Sequence, residues 1–84
     1  MITQNITVQM ETGLTSHSAS TFIQKANQFP CQLHIEYETH RVNAKSLLGI
    51  LSLDIKAGAE VTLTADGPEE ADAAAALAAY LRGE

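Results

Sequence analysis

Cys31-Gln32-Leu33-His34-Ile35-Glu36-Tyr37 alternates apolar and polar side chains without a break, and its reading decides the fold. Side chains on a strand point to opposite faces with a period of two. Cys31, Leu33, Ile35 and Tyr37 therefore share one face, and Gln32, His34 and Glu36 share the other. A tight turn follows, after which Val42 and Ala44 alternate with Arg41 and Asn43. Upstream, Ile6, Val8 and Met10 alternate with Thr7, Gln9 and Glu11, until Gly13 breaks the pattern. Downstream, Val61, Leu63 and Ala65 alternate with Thr62 and Thr64. Every strand thus has one wet and one buried side, as in antiparallel sheets covered on a single face.

Three helical stretches remain to do the covering. From about Ser16 to Asn27 the period changes, with Ala19, Phe22 and Ala26 on one face, and Phe29-Pro30 closes the segment. Ser46 to Leu53 reads as a short helix, closed by the turn Lys56-Ala57-Gly58. Asp66-Gly67-Pro68-Glu69-Glu70 reads as a helix start, with proline in the first turn and acids that complement the helix dipole. The alanine-rich helix that follows has Leu77, Tyr80 and Leu81 as main apolar positions, its alanines serving helix propensity, and Arg82 and Gly83 as end signals. The order β-α-β-β-α-β-α specifies a two-layer α/β sandwich.

Composition limits what such a domain does. The 84 residues form one domain, 1–84, and the 45% apolar content excludes a disordered chain. No apolar run approaches the roughly 18 residues that span a bilayer, and the start at Met1-Ile2-Thr3-Gln4-Asn5 has no secretory pattern, so the expected location is cytoplasmic. Cys31 is alone and fits a small core residue. No His, Cys and carboxylate set has metal-ligand spacing, and no metal or cofactor is expected. A net charge of −5, with only five scattered Lys and Arg, argues against direct nucleic-acid binding. A base-stacking RNA sheet of the ferredoxin-like kind is excluded because the one strand aromatic, Tyr37, falls in the apolar register. The expected partner is a protein.

Two segments carry a resemblance. Thr12-Gly13-Leu14-Thr15-Ser16-His17-Ser18-Ala19 parallels the Gly-Leu-His-Ala-Arg-Pro-Ala loop-to-helix motif of the bacterial phosphocarrier HPr family. Asn43-Ala44-Lys45-Ser46-Leu47-Leu48-Gly49-Ile50-Leu51-Ser52-Leu53 is similar, nearly residue for residue, to that family's regulatory serine segment. Gly58 and Gly67 fall where the family has them. The resemblance implies an α+β, HPr-like sandwich whose antiparallel sheet has order 1-4-2-3, with three helices on one face. Relatives carry a glycine in the hairpin where this chain has Glu38-Thr39-His40, which makes a two-residue turn with positive φ less expected. Here His40 reads as a turn residue.

In the family, the histidine of the first motif accepts phosphate, a task suited to a nucleophilic imidazole beside a helix N-terminus. Thr15 stands at that position, and a threonine hydroxyl is a poor nucleophile without a base. The resemblance therefore implies a degenerate phosphohistidine position and no catalytic residue. His17 stands where the family has arginine, and Ser18 where it has proline. Two positions on, His17 points about 200° around the helix from Thr15, and its ordinary reading is an exposed side chain near a helix start.

Ser46 is well placed as an N-cap, which by itself explains a serine there. The resemblance adds phosphorylation: a phosphate at this point brings about two negative charges and three strong acceptors for a partner's Arg or Lys. Ile50 and Leu53 face the core, whereas Leu47, Leu48 and Leu51 form a second stripe that a short helix cannot fully bury. An all-apolar, mostly buried helix is the competing reading of that stripe. By the resemblance it is a partner-binding patch, which Ser20, Ile23 and His17 extend.

The chain is thus similar to the catabolite-repression branch of the HPr family. The implied function is regulatory: an HPr kinase/phosphorylase phosphorylates Ser46, and the product binds a LacI-type catabolite control regulator as corepressor. The chain is then a substrate and effector, not an enzyme, and touches neither DNA nor membrane. Two alternatives stay open: a phosphocarrier using His17, and a binding module that regulates a metabolic enzyme without phosphorylation. A one-sided sheet with a terminal edge strand also allows a homodimer without requiring one.

Overall fold

The computed structural model describes residues 1–11 and 13–83; Thr12, which opens the first motif, and Glu84, which ends the domain range, lie outside the described residues. The elements are β1 (Ile2–Thr7), α1 (Ser16–Ala26), β2 (Gln32–Tyr37), β3 (His40–Asn43), α2 (Leu47–Leu53), β4 (Glu60–Asp66) and α3 (Glu70–Leu81). The sheet is antiparallel in the order β1-β4-β2-β3. Ile6 lies opposite Val61, Leu63 opposite Ile35, and Ile35 opposite Val42, so the apolar residues form one continuous inner face. The outer face carries rows such as Asn5, Thr62, Glu36 and Arg41, and Thr62 Oγ1 donates to Asn5 Oδ1 at 2.9 Å.

Three helices cover the inner face. α1 buries Ala19, Phe22 and Ala26, the residues its periodicity selects, and α2 buries Ile50 and Leu53. Each such Phe, Ile or Leu contributes roughly 1.5–3 kcal/mol by leaving water. In α3, Ala73, Ala74 and Ala78 are buried alongside Leu77 and Leu81. These alanines are packing residues and not only helix formers. Their small side chains suit the contact of α3 with β1 and β4.

Four further local expectations are corrected. β1 begins at Ile2 and ends at Thr7, before Val8 and Met10; Val8 continues by exchanging backbone bonds with Ala59 and Gly58 and is buried. The hairpin does have a two-residue loop, since Tyr37 pairs with His40, and Glu38 takes the positive φ of 58° without a glycine. His40 is accordingly the first residue of β3. Pro68 lies outside the first turn of α3. Glu69 is the N-cap, at φ 62° and with no side-chain cap, while Glu70 Oε1 reaches back to accept from the Gly67 N–H at 3.1 Å.

Glu70 has a second partner. The Met1 ammonium lies 2.8 Å from its Oε2 and 4.0 Å from Asp66 Oδ1. The hydrogen bond between them raises the pKa of the amine and, helped by the Gly67 N–H, lowers that of Glu70.

Candidate functional site

Ser46 is delivered by a turn that ends β3. Asn43 Oδ1 accepts from the Lys45 N–H at 2.8 Å, and Asn43 O accepts from the Ser46 N–H at 3.0 Å. The Lys45 ammonium reaches across to donate to Phe29 O at 2.8 Å and Cys31 O at 3.0 Å, tying this turn to the α1–β2 connection. Ser46 itself is extended (φ −107°, ψ 115°), and its Oγ accepts from the Gly49 N–H at 3.2 Å. It is therefore the N-cap of α2, as expected. Its half-buried side chain stands at the start of the helix that carries the leucine stripe.

That stripe is open to solvent. Leu48 is 82% exposed and Leu47 41%, and the only other exposed large apolar residue among the described ones is Met1. Leu51 is half-buried against the core. The all-buried reading of α2 is excluded. α1 packs against α2, with Ser20 exposed and Ile23 half-buried on it.

The start of α1 holds a feature that sequence reasoning missed. Thr15 is the N-cap, and it forms a reciprocal capping box with Ser18. Ser18 N donates to Thr15 Oγ1 at 3.3 Å, and Thr15 N donates to Ser18 Oγ at 2.8 Å. Ser18 is only 8% exposed, and its hydroxyl donates to Gly13 O at 3.1 Å, leaving the Thr15 hydroxyl to donate across the 3.2 Å contact to Ser18 Oγ. The partners of Thr15 Oγ1 are thus an amide and a hydroxyl, neither of them a base. Tyr80 Oη donates to Ser18 O at 3.1 Å and ties this helix start to α3. Gly13 closes the loop at φ 69°, where a Cβ would come within 2.6 Å of Lys56 Cα. His17, the second residue of α1, is exposed.

Among the described residues, no three His, Cys, Asp or Glu side chains could hold a metal ion, and no helix is long and apolar enough to cross a membrane. Cys31 is a buried free thiol. An open cleft beside Lys45, lined by Pro30, Leu33, His34 and Asn43 among others, includes neither Ser46 nor Leu47, Leu48 or Leu51 of α2.

Comparison with known proteins adds a lineage to this geometry. Residues 2–82 match the family described as the PTS HPr component phosphorylation site. The HPr-like protein Crh of Bacillus subtilis is 42% identical over 84 residues, covering 100% of this chain and 99% of the relative. The crystal structure of the phosphocarrier protein HPr from Bacillus anthracis superposes with a TM-score of 0.93 at 39% identity, covering 95% of each chain. A crystal structure of the B. subtilis Crh, described as a swapped dimer, gives 0.81 at 42% identity, covering 100% of this chain and 97% of that one.

Proposed function

The chain belongs to the HPr family, and on that footing we propose that it is a regulatory protein of carbon catabolite repression, switched by phosphorylation of Ser46. An HPr kinase/phosphorylase transfers the phosphoryl group from ATP. The modified chain then docks on a LacI-type catabolite control regulator through Leu47, Leu48 and Leu51, with Ser20, Ile23 and His17 at the margin. One observation carries the reading: Ser46 Oγ, held as an N-cap, stands next to two exposed leucines. Charge and apolar contact are then available to one partner surface. A phosphate would give that partner's Arg or Lys strong acceptors, while the leucines supply anchors.

Thr15 makes the chain incompetent for histidine phosphotransfer, because its hydroxyl is engaged with Ser18 and meets no base among the described residues. The chain acts in the cytoplasm as substrate and effector, not as an enzyme. The Crh relative suggests a homodimer for this chain too, since β1 lies at the edge of the sheet beside β4. Light scattering after size-exclusion tests that point: a single species of monomer mass at all concentrations refutes it.

The test of the main reading is incubation with ATP and an HPr kinase/phosphorylase, followed by mass spectrometry. One phosphate on Ser46, absent in Ser46→Ala, is the expected result. No phosphate under conditions that modify a phosphocarrier HPr overturns it, and an acid-labile phosphate lost in His17→Ala would move the chain to the phosphocarriers.

A further inference from the structure

α2 contains an interior glycine that its helix would be more stable without. Glycine is less favourable in a helix than alanine, and Gly49 is the third residue of a seven-residue helix. A Cβ built at Gly49 would lie 3.0 Å from Val42 Cβ, 3.3 Å from Ser46 Oγ and 3.4 Å from Ser46 Cβ. The approaches to Val42 Cβ and Ser46 Oγ are tighter than ordinary contact, and that to Ser46 Cβ is ordinary van der Waals contact. The first concerns packing on β3. The second concerns the hydroxyl whose modification is proposed above, and which already accepts from the Gly49 N–H at 3.2 Å. On this side, Ser46 Oγ faces bare backbone.

We infer that Gly49 determines whether Ser46 can be modified, by keeping free the space beside Oγ that a phosphoryl group and its donor must enter. The inference rests on the Ser46 reading and names a second residue in it. In the transfer, Ser46 Oγ attacks the terminal phosphorus of a nucleoside triphosphate. The new O–P bond forms as the bond to the bridging oxygen breaks, the diphosphate leaves, and the hydroxyl proton passes to a base of the kinase. Phosphorus and three oxygens replace one hydrogen, so the group needs room where a Cβ at position 49 would intrude. Gly49 is a positioning residue here: it touches Ser46, not the nucleotide.

Two measurements separate this role from packing against Val42. In the first, Gly49→Ala is assayed with the kinase and ATP, and kcat/KM falls about tenfold or more while the variant stays folded by circular dichroism. In the second, phosphoserine is installed at position 46 by genetic incorporation, without any kinase, in the parent chain and in Gly49→Ala. In the Gly49→Ala chain, phosphoserine lowers Tm by about 4 °C or more beyond its effect in the parent, a shift well resolved for a domain of this size. A packing role would move the Gly49→Ala chain equally with and without the phosphate. Should Gly49→Ala not fold, Val42→Gly/Gly49→Ala, compared with Val42→Gly, removes the 3.0 Å contact and keeps the crowding at Ser46. Equal effects of phosphoserine in both backgrounds overturn the inference. A kinase that ignores the unmutated chain overturns the Ser46 reading instead, and the phosphoserine comparison still decides the role of Gly49.

Discussion

Ser18→Ala and Thr15→Ala should differ in cost, although the two hydroxyls share one capping box. Ser18→Ala removes the acceptor of the Thr15 N–H at 2.8 Å and the donor to Gly13 O at 3.1 Å. Ser18 and Gly13 are both buried, so the Gly13 carbonyl loses its partner where water is scarce, at about 1–2 kcal/mol. Thr15 is exposed, and water can serve its freed N–H, adding about 0.5 kcal/mol. The sum is about 2 kcal/mol. Thr15→Ala removes a cap bond of 3.3 Å, long for its kind, and costs about 0.5–1 kcal/mol, the lower part of the range for N-caps. The double variant should cost less than the sum by about 0.5 kcal/mol, because the residues bond each other. Urea unfolding followed by circular dichroism measures all three, with an unchanged slope as the check on two-state behaviour. A cost for Thr15→Ala equal to or above that for Ser18→Ala, or strict additivity, would refute the reasoning.

Other expectations follow from the same geometry. Leu48→Glu, at the most exposed apolar side chain of α2, should leave stability within about 0.5 kcal/mol yet weaken regulator binding about tenfold or more by titration calorimetry; unchanged binding removes the patch from the interface. Lys45→Met keeps the apolar stem and loses two charge-assisted bonds to Phe29 O and Cys31 O, costing about 2 kcal/mol in urea; a loss near zero means water satisfies those carbonyls. Glu70, whose folded pKa lies below the ordinary 4.5, contributes stability that is present above that value and lost as pH falls through the lowered one. Melting curves of Glu70→Gln should therefore converge on those of the parent in acid and fall below them at neutral pH. The Met1 amine, raised above 8.0, contributes stability that is full below that pH and fades as pH climbs through the raised value.

What could be read from the residues was what alternation and helical period report. Leu33, Ile35, Leu63 and Val61 fall inside because period two places them there, and Phe22 because period 3.6 does. Ser46 was legible as a cap because serine before an apolar helical run has few other uses. The misses have local causes. β1 is an edge strand whose inward row is Ile2, Gln4 and Ile6; the polar Gln4 interrupts the alternation, which is cleaner over Ile6, Val8 and Met10. Glu38 tolerates a left-handed conformation that glycine usually supplies, at a cost of about 1 kcal/mol. Pro68 resembles a first-turn proline, but the helix entry is set by Glu70 reaching back to Gly67. The box at Thr15 was hidden because the residue three positions on is Ser18 and not the usual Glu or Gln. Lys45 gave no signal at all, since its bonds go to backbone carbonyls 14 and 16 residues away.

The most direct test of the account is the affinity of a LacI-type catabolite control regulator for the chain with and without phosphate on Ser46, measured side by side by calorimetry at fixed ionic strength. The account predicts binding at least about tenfold tighter for the phosphoform, lost again on treatment with phosphatase. Equal affinity of the two forms would contradict it and leave the leucines of α2 as a docking surface that needs no switch.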